Sequence, residues 1–271
     1  MHRTRVITSI VGLVVLLSLI GWGNPLIFWV AISSATVIGL IEFYKIIQAR
    51  ELPVYFYPGV FLGWLFSLAA LVSSLFTVSS LTDFTLTLIV VAIFLYALLS
   101  RQTLSECIPA LALTVFGIFY VAWLFNHLTF LRVLPHGKRF VFYLLLIVWS
   151  GDTGAYYTGS FFGKHKLAPL ISPKKTIEGA LGGTAASLIA SIIAKLTFLP
   201  LLSYAHALIL ALLMAIMAQL GDLCESMLKR AANVKDSGTL LPGHGGILDR
   251  VDGVMFAAPV LYYYAVLFLL A

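Results

Sequence analysis

Charge is scarce in this chain: Asp, Glu, Lys and Arg together make up 10% of 271 residues, while 61% are apolar and the mean hydropathy is +1.03. Soluble domains carry about a quarter charged residues. Such a composition excludes a water-exposed globular fold and places the chain among polytopic membrane proteins. Cysteine is scarcer still. Cys107 and Cys224 fall in different segments, which excludes a disulfide framework and a thiolate metal site and leaves both as packing residues. No linker, repeat or low-complexity tract divides the chain. The formal charge of +6 lacks the soluble basic surface that nucleic-acid binding requires, so the cations are expected to face anionic lipid heads or phosphates.

Apolar runs are abundant. A helix needs roughly 20 apolar residues to cross about 30 Å of hydrocarbon, and on that ruler the expectation is an all-α polytopic integral membrane protein with about nine transmembrane helices. Their expected extents are 6–23, 25–47, 54–76, 81–100, 108–131, 140–162, 177–199, 205–228 and 248–270. The first follows a short basic lead, Arg3 and Arg5, and resembles a signal peptide. No small-x-small cleavage site follows it, so a retained helix is expected. Short loops rich in Lys and Arg stay in the cytoplasm. With the N-terminus inside, 13 of the 17 cations lie on that side, the exceptions being Arg132, Lys138, Arg139 and Lys195. This implies N-terminus in and C-terminus out, in a cell membrane, with the charged loops facing the cytoplasm. Residues 1–131 are expected to be mainly scaffold and residues 132–271 to form the catalytic part.

What charge there is gathers late. Of eleven carboxylates, seven lie between Asp152 and Asp252 and five of those in the stretch from Gly221 to Asp252. Asp152 stands among small residues within an apolar helix, where an ionised carboxylate is costly unless it meets a cation, a cavity or a metal; its bland alternative is a hydrogen bond that fastens the bundle. Asp222, Glu225, Ser226 and Lys229 follow i, i+3, i+4, i+7 spacing and share a helix face. Asp249 and Asp252 repeat the spacing on the last span. Oxygen-only ligands favour Mg2+ or Mn2+ over Zn2+, and Mg2+ commonly shares its shell with substrate phosphates. The bland alternative is a self-neutralising network with Lys229, Arg230 and Arg250.

Three further features complete the reading. Ser172-Pro173-Lys174-Lys175 is expected to open a helix with Ser172 as its cap, an anion site beside two ammonium groups. The loop from Lys235 and Asp236 to His244, Gly245 and Gly246 combines cations with glycines whose N–H groups can approach phosphate; His244 is expected as a phosphate donor or loop hydrogen-bonder. Gly179, Gly183, Ser187 and Ser191 form a smooth ridge for helix packing, within a protomer or across a homodimer. Glu42 is expected to pair locally with Lys45.

Read together, Ser226-x-Leu228-Lys229-Arg230-x4-Lys235-Asp236-x-Gly238-x2-Leu241-Pro242-x-His244-Gly245-Gly246-Ile247-x-Asp249-Arg250-Val251-Asp252 resembles the full signature of the phosphatidate cytidylyltransferases, or CDP-diacylglycerol synthases. Asp152-Thr153-Gly154-Ala155-Tyr156 and Ser172-Pro173-Lys174-Lys175-Thr176-x-Glu178-Gly179 resemble further segments of that family, so the likeness covers the C-terminal half. The resemblance implies transfer of a cytidylyl group from CTP to phosphatidic acid, with Mg2+ as cofactor and a monovalent cation such as K+ beside it. On that basis Asp222 and Asp249 are expected as first metal ligands, with Asp152, Glu225 and Asp252 as further candidates. Lys174, Lys175, Lys229, Arg230, Lys235 and Arg250 would hold the triphosphate and the lipid phosphate. Ser172, Ser226, Gly245 and Gly246 join them as substrate contacts, and Asp236 would orient Lys235. Two other functions use similar chemistry: a CTP-dependent polyprenol kinase, and an ion or phosphate transporter whose intramembrane acids line a path.

Overall fold

The structure, a computed structural model, describes residues 12, 14, 17–78, 80–100, 102–240 and 245–270. Half of the first expected span, and His244, lie outside them. The backbone is helical almost throughout, as hydrocarbon requires, because a helix satisfies its own N–H and C=O groups where no water can. The long helices are α1 (Pro25–Gln48), α2 (Phe56–Phe76), α3 (Ser80–Leu99), α4 (Leu104–Val133), α5 (Gly137–Phe162), α6 (Ile177–Thr197), α7 (Tyr204–Ala231) and α8 (Leu248–Leu269). All but α5 are long and apolar enough throughout to cross a membrane, which makes seven among the described residues. The polar run Ser150–Gly154 interrupts the apolar length of α5. Both α4 and α8 contain a π-helical turn, at Ile118–Trp123 and Ala265–Leu269.

The helices are not the whole fold. Between α5 and α6, β1 (Lys166–Ala168) and β2 (Ser172–Thr176) pair antiparallel, with Lys166 opposite Thr176 and Ala168 opposite Ser172. This small hairpin leaves the all-α membrane class standing and corrects the expected cap. Ser172, Lys174 and Lys175 lie on a strand, and α6 starts one residue after Thr176, whose side chain accepts the Gly179 N–H at 3.1 Å. Pro173 sits where a strand edge tolerates a missing N–H.

The chain forms two compact units. The first comprises residues 1–133 and 231–250, the second residues 134–230 and 251–271. Ala231–Arg250 thus groups with residues 1–133.

In the first unit, Asn24 caps α1 by accepting the Ile27 N–H at 2.8 Å, and Pro25 fills the first helical position. Buried hydrogen bonds then fasten α1 and α2 to α4. Tyr44 donates its hydroxyl to the Thr114 carbonyl at 2.8 Å, and Ser67 donates to Asn126 at 2.8 Å. Arg132, expected as a loop cation, is buried instead; it donates to the Gly23 carbonyl at 2.6 Å and lies over the Phe28 ring.

In the second unit, the small-residue ridge of α6 packs on α5. Gly179, Gly183, Ser187 and Ser191 are all buried. A Cβ on Gly183 would come within 2.7 Å of the Gly151 carbonyl oxygen, and one on Gly151 within 2.7 Å of Ser187 Oγ. Ser187 donates to the Ile147 carbonyl at 2.9 Å. The ridge is therefore used inside the protomer, where backbones approach too closely for any larger side chain.

Candidate active site

Helix α7 is longer than a bilayer needs. Its 28 residues span about 42 Å at 1.5 Å per residue, some 12 Å beyond a hydrocarbon core of about 30 Å. That excess equals roughly eight residues, which matches the polar end from Asp222 to Arg230. The charged turns thus continue a membrane helix past the apolar layer.

Within the second unit the acids of α5, α7 and α8 act on one another. The charges of Asp222 and Asp152 both reach Asp252, with Lys229 offsetting them, and Asp222 reaches Asp152, with Lys175 offsetting it. Mutual repulsion of three carboxylates is unfavourable without a cation. One cation is supplied by β2: Lys175 Nζ lies 2.7 Å from Asp222 Oδ2. That nitrogen is shielded from solvent, with the Asp222 carboxylate as its ion-pair partner. Ser226 donates to the other oxygen of Asp222 at 3.4 Å, a long contact. Among the described residues, no three His, Cys, Asp or Glu side chains already converge as a metal cage. The donors are nonetheless oxygen-only and gathered around Asp222, which suits a hard divalent cation completed by phosphate oxygens and water.

Other expected site residues have different surroundings. Glu225 is 2% exposed and forms a buried ion pair with Lys229 one turn on. Arg230 is exposed and donates weakly to the Ile171 carbonyl at 3.4 Å, towards the β1–β2 turn. Lys174 is exposed on β2. Glu178, at the start of α6, accepts N–H groups from Lys164 and His165 and meets His165 Nδ1 at 2.6 Å. It ties down the basic loop before β1.

In the first unit a second pair of carboxylates organises the stretch after α7. Asp249 Oδ2 accepts the Ser237 N–H at 2.9 Å, the Ser237 hydroxyl at 2.9 Å and the Gly246 N–H at 2.8 Å. The Gly246 N–H, expected to meet phosphate, is thus donated to Asp249. Gly245 has φ +81°, a left-handed conformation that L side chains avoid, and a Cβ there would lie 2.5 Å from Asp249 Oδ2. Lys235, Asp236 and Arg250 are exposed around this core.

Glu42 completes this arrangement and corrects the expected pairing with Lys45. From α1, 5% exposed, its carboxylate accepts the N–H groups of Ile247 and Leu248, each at 3.0 Å, and faces the Ser237 hydroxyl at 3.1 Å. Glu42 and Ser237 are the residues that sequence reasoning missed. The cost of a carboxylate inside an apolar span was the available signal for Glu42; Ser237 stood at an unspecified position of the signature and carried none.

Comparison with known proteins points to one family. The model of the cytidylyltransferase family matches residues 3–268. The phosphatidate cytidylyltransferase of Bacillus subtilis (strain 168) is 34% identical over 271 residues, covering 98% of both chains. That of Staphylococcus haemolyticus (strain JCSC1435) is 35% identical, covering 96% of this chain and 97% of the relative. That of Synechocystis sp. is 35% identical, covering 99% and 98%.

Proposed function

The chain belongs to the cytidylyltransferase family and is a nucleotidyltransferase that makes CDP-diacylglycerol from CTP and phosphatidate, and from that premise we propose how its residues divide the work. The observation that carries the proposal is the shielded ammonium of Lys175 set against Asp222 among the acids of α5, α7 and α8. A phosphate oxygen of phosphatidate attacks the α-phosphorus of CTP, the bond to the bridging oxygen of the β-phosphate breaks, and pyrophosphate leaves. The attacking phosphate is already an anion, so no strong base is required; positioning and charge neutralisation are.

Lys175 turns from Asp222 to a phosphate oxygen, and Lys174 and Arg230 add charge from β2 and the end of α7; Lys235 and Arg250 remain proposed phosphate contacts. Asp236 orients Lys235. Ser172, Ser226, Gly245 and His244 remain proposed substrate contacts. Asp222, with Asp152 and Asp252, would hold Mg2+, or Mn2+ in its place. Bound there, the ion would neutralise and orient the triphosphate, and a monovalent cation such as K+ would add to that charge. Asp249, proposed with Asp222 as a ligand, is meanwhile held by Ser237 and Gly246. Glu225, paired with Lys229, sets the position of that ammonium group.

For the finer architecture we propose nine spans, adding α5 and the span at 6–23 to the seven, with the N-terminus and the active site on the cytoplasmic side of a bacterial cell membrane. A C-terminal reporter enzyme active only outside would agree; activity inside would reverse the topology. A homodimer, once suggested by the small-residue ridge, finds no support there, since α5 covers the ridge.

The test is incubation of purified protein with phosphatidate, Mg2+ and CTP labelled at either the α- or the γ-phosphate, beside Asp222→Ala. Lipid labelled from the α-position by the wild type alone is expected. Label from the γ-position would mean a kinase, and equal labelling by Asp222→Ala would sink the metal assignment.

A further inference from the structure

We infer that Glu42, on α1 far from the signature stretch in sequence, is a positioning residue for cytidylyl transfer, setting the Ser237–Leu248 backbone and Asp249 at the start of α8; this rests on the reading that residues 235–250 serve the reaction. Four observations within the first unit carry it. Glu42 Oε1 accepts the Ile247 N–H and Oε2 the Leu248 N–H. These are among the first N–H groups of α8, which have no partner within their own helix. Glu42 therefore caps α8 with a full negative charge supplied by another helix, which the helix dipole favours.

Second, Ser237 joins Glu42 to Asp249. Its hydroxyl oxygen lies 3.1 Å from Glu42 Oε2 and 2.9 Å from Asp249 Oδ2, while its N–H donates to Asp249. Asp249 is thus oriented through a side chain that Glu42 itself positions, the relation expected of an outer residue that aims an inner one.

Third, two glycines of the stretch are shaped around the Glu42 carboxylate. A Cβ on Gly238 would come within 2.5 Å of Glu42 Oε1, and one on Gly246 would overlap Glu42 Oε2 and Ser237 Oγ. The backbone wraps the carboxylate at contact distance on two sides, which leaves little freedom for either to move. Fourth, Glu42 is 5% exposed on a helix that Tyr44, two residues on, anchors through the Thr114 carbonyl. A buried carboxylate in a span is costly, and here the N–H groups of a loop 205 and 206 residues away stabilise it. A packing role alone would be met by any apolar residue.

The experiment measures CDP-diacylglycerol formation and thermal unfolding of the full chain in detergent for Glu42→Gln, Ser237→Ala, Asp249→Asn and the double variant Glu42→Gln/Ser237→Ala. Glu42→Gln keeps the size but loses one of the two acceptors. The expected result is a fall in kcat of about 10- to 100-fold, with KM for CTP within about threefold and a nearly unchanged unfolding midpoint. Since Glu42 and Ser237 act along one path, the double variant is expected to be no worse than the worse single variant. Should Glu42→Gln fail to fold, Gly238→Ala presses on the same carboxylate from the loop side and is expected to reproduce the kcat loss. Wild-type kcat in both Glu42→Gln and Gly238→Ala, multiplied losses in the double variant, or a loss that follows the unfolded fraction would each overturn the inference. If Asp249→Asn is inactive while Glu42→Gln is not, only the role of Glu42 fails. If Asp249→Asn and Ser237→Ala are both fully active, the reading of residues 235–250 fails first and the inference with it.

Discussion

Lys175→Met separates the two duties assigned to that ammonium group. In this structure Nζ lies 2.7 Å from Asp222 Oδ2, with the side chains 25% and 41% exposed. At that distance the gross attraction is about 6 kcal/mol for an effective dielectric of 20. Partial exposure and the ordering of a long side chain reduce the net value to about 1 kcal/mol. A cation arriving at Asp222 competes with this pair, so removing the ammonium should lower the Mg2+ concentration at half-maximal activity by about fivefold. Against this, Lys175 donates to a phosphate during the reaction, and a charged hydrogen bond contributes about 1.5–3 kcal/mol. Its loss should cut kcat/KM for CTP by about 10- to 150-fold at saturating Mg2+. Steady-state assays with labelled CTP across a Mg2+ series read both effects, and Lys175→Arg should recover part of the second while retaining the first pairing. A variant whose activity is fully restored by added Mg2+ would refute the phosphate role, since the lysine would then matter only as a spacer between acids. An unchanged kcat/KM would refute the placement of CTP beside β2.

Gly183→Leu should destabilise the second unit by at least about 1–3 kcal/mol, because its Cβ alone already meets the Gly151 carbonyl at 2.7 Å; a lowered unfolding midpoint in detergent is the check, and an unchanged one would mean that α5 and α6 pack differently. Lys229→Met should be more damaging than the double variant Lys229→Met/Glu225→Gln. The single change leaves a carboxylate that is 2% exposed without its cation, a loss of about 3–5 kcal/mol, whereas the double change removes both charges. Equal unfolding midpoints for the two would show that the pair is solvated.

The acids of the candidate site were legible, their partners much less so. Asp152, Asp222 and Asp252 stood out because each is a charge in an otherwise apolar helix, and the fold places all three within electrostatic reach of one another in one unit. Lys175 was legible as a cation but not as a strand residue. Ser-Pro before a helical pattern reads as a cap and a first turn, yet the antiparallel pairing with Lys166–Ala168 extends those residues and gives the cap to Thr176. Pairing between strands is non-local, and helix-start signals weigh only neighbours.

By itself the sequence determined the membrane class and the helical backbone, because hydrocarbon tolerates neither unpaired backbone nor stray charge, and every departure from that rule is visible residue by residue; the reaction family was implied by the likeness of Ser226–Asp252 to a family signature. Only the tertiary structure decided which polar groups answer one another. The Gly179–Ser191 ridge reads equally well as a protomer interface or a dimer interface until α5 is seen to occupy it. Glu42 reads as a neighbour of Lys45 until the backbone of Ile247 and Leu248 is found on its carboxylate. A hydrogen bond is decided by distance and angle in space, and two residues 206 apart in the chain leave no trace of such a meeting in their order.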